Sequence, residues 1–178
     1  MQFPRRALRA LIATLALVAG LACWQDPRAS ARPLAPRCGP SQLSIRATAS
    51  YATQSAFIHF VLRNTSPRAC AVRGHPAVGI FGSSGRRLPV RRFVQDRGVH
   101  PRRVRLAANR RSATNFNAQW FNYCGPRDDP PAPRVALSGT RTWIAVTVVG
   151  QPLSSPVCAT RRVPSHIGVN ELLPGANR

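Results

Sequence analysis

The chain has 178 residues, a formal charge of +21, 44 % apolar residues and only 17 % charged ones. That composition supports one packed domain plus a targeting segment, and it excludes wholesale disorder and a coiled coil. Seventeen prolines and twelve glycines argue against a helical bundle, and five acids leave few candidates for acid–base catalysis.

The N-terminus reads as an export signal. Arg5, Arg6 and Arg9 precede a mostly apolar, uncharged run from Ala10 to Trp24. That run is about 15 residues, where a membrane span needs about 20. Pro27 breaks the helix and Ala29-Ser30-Ala31 is a small-x-small site, so cleavage is expected after Ala31. The alternative is a lipid anchor on Cys23, although Gly20 stands where a branched apolar residue is expected. Cleavage after Ala31 removes four arginines and Asp26, leaving 22 arginines against four acids, a mature charge of +18. The expected organisation is a signal peptide at 1–31, a mobile Pro-rich leader at 32–37, one domain at 38–173 and a tail at 174–178.

Strand patterns fill the domain. Leu43, Ile45, Ala47 and Ala49 alternate with polar residues, the period of a half-buried strand. Ile58, Phe60 and Leu62 share one face of the next strand, and Asn64-Thr65-Ser66-Pro67 is turn chemistry. Cys70 to Phe81 reads as one strand, with a bulge or edge position at Gly74-His75-Pro76. Shorter Arg-laden strands are expected at Leu88–Val94 and Val99–Leu106. Ser112 to Tyr123 alternates with Phe116, Ala118 and Trp120 on one face. Gly125–Pro133 reads as a loop and Val135–Leu137 as a short strand. Thr142–Val149 is apolar on both faces, so a central strand is expected there. A last strand is expected within Val157–Val169. Short strands separated by turns predict an all-β fold, an immunoglobulin-like antiparallel β-sandwich. The antibody version is excluded, because its Cys…Trp…Cys spacing is missing.

Signal removal leaves Cys38, Cys70, Cys124 and Cys158, an even number that reads as two disulfides in an oxidising compartment. Four cysteines allow three connectivities. Proximity in sequence favours Cys38–Cys70 and Cys124–Cys158. Neighbouring cysteines stand 32, 54 and 34 positions apart, which does not suit a zinc site. No metal or cofactor is expected.

The stretch Leu62–Val78 has Asn64, then Cys70, then Gly74-His75-Pro76. It resembles the hallmark of an actinobacterial family of exported domains, family four-two-three-two among the domains of unknown function. The resemblance extends from about Cys38 to Leu173. It departs at His75, often Tyr in the family, and at Ala108-Asn109, where the family has Pro–Gly and Asn still tolerates positive φ. It implies secretion and an all-β fold, and it implies no activity or ligand. The residues themselves read as scaffold: Asn64 can bond backbone two residues on, Cys70 staples a strand, and Gly74 with Pro76 bends it.

The catalytic signals are weak. Asp128 and Asp129 are adjacent residues of a Pro-rich loop, a poor version of the facing carboxyls a glycosidase needs, and read as solvated turn residues. No G-x-S-x-G elbow or P-loop is present. The expectation is therefore no enzyme.

All 26 basic residues are Arg, and ten of them fall between Arg86 and Arg111 with one acid, Asp96. GC-rich codons explain Arg in place of Lys. They do not explain the missing Asp and Glu. The candidate anion-binding residues are Arg86, Arg87, Arg91, Arg92, Arg102, Arg103, Arg105, Arg110 and Arg111, since guanidinium offers bidentate contact to phosphate and carboxylate. A secreted or cell-envelope interaction module is expected, with an anionic polymer, lipid headgroup or acidic protein as partner and no specific nucleic acid. The alternatives are a structural envelope protein, an enzyme or an enzyme inhibitor.

Overall fold

The computed structural model describes residues 34–126 and 129–175. The signal segment, Cys23 and Asp128 lie outside the described residues. Of the described residues 45 % are strand and 2 % helix, so the fold is all-β. The strands are β1 (Leu43–Ala52), β2 (Ser55–Asn64), β3 (Cys70–Arg73), β4 (Ala77–Phe81), β5 (Arg91–Val94), β6 (Arg103–Leu106), β7 (Ala113–Phe121), β8 (Ala132–Ala136), β9 (Ile144–Val148), β10 (His166–Val169) and β11 (Leu173–Pro174).

Eight strands pair in the order β4-β8-β9-β1-β2-β7-β10-β5, with β11 added to β7, and β3 pairs β6 in a separate ribbon. β4, at one end of this path, packs against β10 near the other. The sheet therefore curls over its own core, an arrangement that fits a sandwich. Pairing is mostly antiparallel, but β1–β9 and β5–β10 are parallel.

Alternation places the core. Ile58, Phe60 and Leu62 on β2 and Phe116, Ala118 and Trp120 on β7 are all buried. Register sets Phe60 opposite Phe116, and their rings stack at 4.5 Å. Burying each such ring stabilises the fold by about 2–3 kcal/mol. Trp120 keeps its polar handle satisfied: its Nε1–H donates to Ser165 Oγ at 3.0 Å.

Four local readings change in three dimensions. Cys70–Phe81 is two strands in two sheets, not one bulged strand. Gly74, at φ 95°, makes the crossover, and a Cβ there would stand 2.6 Å from Ser138 Cβ. Only β5 and β6 of the Arg-laden stretches are strand, and Leu88 and Val90 are buried outside any strand. The expected loop Gly125–Pro133 ends inside β8, where Pro133 pairs with Ile80. β9 sits between β8 and β1 as a central strand should, but it is not buried on both faces: Ala145 and Thr147 are exposed.

The end of the leader is hydrogen-bonded to the domain. Pro36 and Ala71 share a backbone hydrogen bond of 2.7 Å, and Arg103 donates to the Ala35 carbonyl. At the other end, pairing continues past Leu173 into Pro174. Cys38–Cys70 and Cys124–Cys158 are both bonded, the pairing that sequence proximity favoured.

Candidate anion-binding face

All ten arginines from Arg86 to Arg111 are exposed, but they do not form one surface strand. Arg86 and Arg87 occupy the β4–β5 connection, where the Arg87 guanidinium lies 5.3 Å from the Trp143 ring centre. Arg91 and Arg92 are on β5, at the sheet edge. Arg97 and Arg102 lie in the β5–β6 connection. Arg103 and Arg105 are on β6, with Arg103 directly opposite Arg73 on β3. Arg110 and Arg111 form the β6–β7 turn.

Arg110 meets two arginines that lie far away in sequence. The outward positions of β1 include Ser44 and Arg46, and those of β2 include Val61 and Arg63. Register sets Arg46 between Val61 and Thr147, and Ser44 opposite Arg63. Arg46 and Arg63 are therefore diagonal neighbours, with backbones roughly 7–8 Å apart. Arg63 Nη1 donates to the Arg110 carbonyl at 3.0 Å. Together they line a cleft of about 500 Å³, completed by Ser44, Ile45, Val61, Ala145 and Thr147. Its lining holds three arginines and no carboxylate. The alternation on β1 and β2 already pointed Arg46 and Arg63 outward. Nothing local in the sequence showed that β9 and the β6–β7 turn would flank them.

Backbone strain is stored beside this cleft. Asn109 and Arg110 have φ of 55° and 60°. Asn tolerates that region, whereas a non-glycine residue such as Arg pays about 1 kcal/mol or more. The Asn64 motif holds the turn. Asn64 is fully buried, its Oδ1 accepts the Ser66 N–H at 3.0 Å, and its Nδ2 donates to the Arg68 carbonyl at 2.7 Å. The Asn64 carbonyl accepts the Arg110 N–H at 2.7 Å, and the Ser66 carbonyl accepts the Asn109 N–H at 2.9 Å.

A second cleft, of about 440 Å³, continues along the same face. Thr48 stands opposite His59, and His59 opposite Asn117. Ser50, Phe57 and Gln119 form the next row. His59 Nδ1 and Asn117 Oδ1 are 2.8 Å apart. Gln95 and Asn170 close the far side. The face thus runs from a cationic end to a neutral, amide-rich end.

The acids sit elsewhere. His75 Nε2 lies 3.0 Å from Asp96 Oδ1, although the ring N–H is not aligned for a hydrogen bond. Asp96 Oδ2 accepts the Glu171 N–H at 2.8 Å. This clasp ties the β3–β4 crossover to the segments after β5 and β10. Among the described residues no arginine stands within ion-pairing distance of a carboxylate, so the arginines there are not neutralised by acids. Asp129 is exposed and accepts from Ser155 Oγ at 3.3 Å. No three His, Cys, Asp or Glu side chains gather as a metal site among the described residues.

The molecule is thus a disulfide-stapled β-domain with an unneutralised basic cleft on one sheet face. The family described as a domain of unknown function, DUF4232, matches residues 38–163, and the chain belongs to it. No curated protein and no solved structure matches the chain.

Proposed function

We propose that this protein is a non-enzymatic interaction module that works outside the cytoplasm and takes an anionic partner. The observation that carries this reading is the cleft of Arg46, Arg63 and Arg110, three cations around one cavity with no acid in its lining. A composition-driven excess of Arg would be spread over solvated positions. It does not require three arginines from separate segments to line one cleft, nor one of them to sit on strained backbone. Two disulfides suit an oxidising compartment, and no described helix is long and apolar enough to cross a membrane. The Ala29-Ser30-Ala31 site supports export by cleavage after Ala31, and a mature N-terminus at an acylated Cys23 would show a lipid-anchored form instead.

The test is a salt series of polyanion binding to the exported protein. If several side chains release counterions together, log affinity should fall linearly with log salt. Six phosphate contacts on duplex DNA give a slope of about −5. Binding that vanishes by physiological salt would reduce the charge to solubility.

A further inference from the structure

We infer that the outward face of β1 and β2 is a groove for an anionic polysaccharide, with the acidic group held at the arginine end and sugar rings along the neutral end. This rests on the anionic-partner reading and specifies its chemistry. The two clefts are adjacent rows of one face: Ser44, Arg46, Thr48 and Ser50 line it on β1. The six steps from Ser44 to Ser50 cover about 20 Å, which suits an oligomer better than a single small anion.

The two ends differ in chemistry. The arginines at one end offer a chemistry that matches a carboxylate, sulfate or phosphate oxygen pair. At the other, Asn117, Gln119 and Gln95 supply amides, each both donor and acceptor, which is what sugar hydroxyls require. Phe57 is 43 % exposed in the row of Ser50 and Gln119, where its ring can carry the apolar C–H face of a sugar. Asn170 lines the same cleft and adds a further amide.

The other anionic partners fit less well. An acidic peptide that added a strand would need a free sheet edge, but β1 and β2 are both interior strands. A nucleic acid needs a basic track along its backbone and repeated stacking platforms. Here the cations are at one end and one aromatic ring is exposed in the groove.

The experiment titrates the exported protein, in physiological salt, with oligogalacturonate, dextran sulfate, uncharged dextran and sugar-free polyphosphate. Tighter binding of an acidic polysaccharide than of either dextran or polyphosphate is expected. Phe57→Ala and Asn117→Ala should each weaken that binding by roughly tenfold and leave polyphosphate binding unchanged. Arg46→Gln with Arg63→Gln should weaken both. Phe57→Leu, which keeps apolar volume but removes the ring face, serves if Phe57→Ala fails to fold. Polyphosphate bound as tightly as the acidic polysaccharides, with no effect of the Phe57 and Asn117 variants, overturns the polysaccharide inference and leaves the anionic-partner reading standing. Preferential binding of uncharged dextran also overturns it. Binding of none of the polyanions removes both.

Discussion

The carbonyl oxygen of Asn64 accepts the backbone N–H of Arg110 at 2.7 Å. Through this bond the turn after β2 holds the turn before β7 in a left-handed conformation. Scaffold and cleft are thus joined: the buried amide of Asn64 shapes its own turn, and that turn positions Arg110 beside Arg46 and Arg63.

Arg110→Asn should separate strain from binding. Asn accepts positive φ more readily than Arg, so folding stability is expected to stay level or rise by up to about 1 kcal/mol. Affinity for a polyanion should fall. Paired denaturation and binding curves check this; a loss of stability would show that the Arg110 side chain holds the turn itself.

Asn64→Ala removes bonds to Ser66 and Arg68 at a fully buried site. The expected cost is about 2–3 kcal/mol, since the backbone partners lose their acceptor and donor. Urea unfolding measures it. A cost below 0.5 kcal/mol, the scale of ordinary surface substitutions, would mean that water replaces the amide.

Gly74→Ala should destabilise by about 2–3 kcal/mol, from positive φ and from contact with Ser138 Cβ. Ser138→Gly in the same chain should recover only part, because it removes the contact and not the backbone cost. A double-mutant cycle gives the coupling; full recovery would assign the whole effect to sterics.

Cys38 and Cys70 close a loop at a separation of 32 residues. Replacing both with Ala should cost about 4 kcal/mol by loop-closure entropy. The same change should release residues 35–37, which pair beside Cys70, and limited proteolysis would report new cutting there. An unchanged melting temperature would defeat the prediction.

Arg102, Arg103 and Arg105 changed together to Gln should flatten the salt dependence of polyanion binding with little change in melting temperature, since all three are exposed. Arg46→Gln with Arg63→Gln should lower affinity more per charge removed, because those cations converge on one cleft. Equal effects per charge, read from salt-series titrations, would make the whole surface the site.

Much of this molecule was legible locally. Period-two alternation named the inward faces of β2 and β7, an even number of cysteines and their order in the sequence named both disulfides, and Asn64 announced its own turn. The strand faces and the turn depend on residues near one another in the chain, where side-chain direction follows from backbone geometry alone. The curl of the sheet, the parallel pairings of β1 with β9 and β5 with β10, and the passage of Cys70–Phe81 from one sheet to another depend on partners far away in sequence. So does the cleft. Arg86 to Arg111 drew attention by density, yet its members are shared between strands and turns. Arg46 and Arg63, each isolated in its own strand, became neighbours of Arg110 only when register and the Asn64–Arg110 bond brought three separate segments together. Charge density is a property of composition, but convergence of charge is set by long-range strand pairing, which no local pattern encodes.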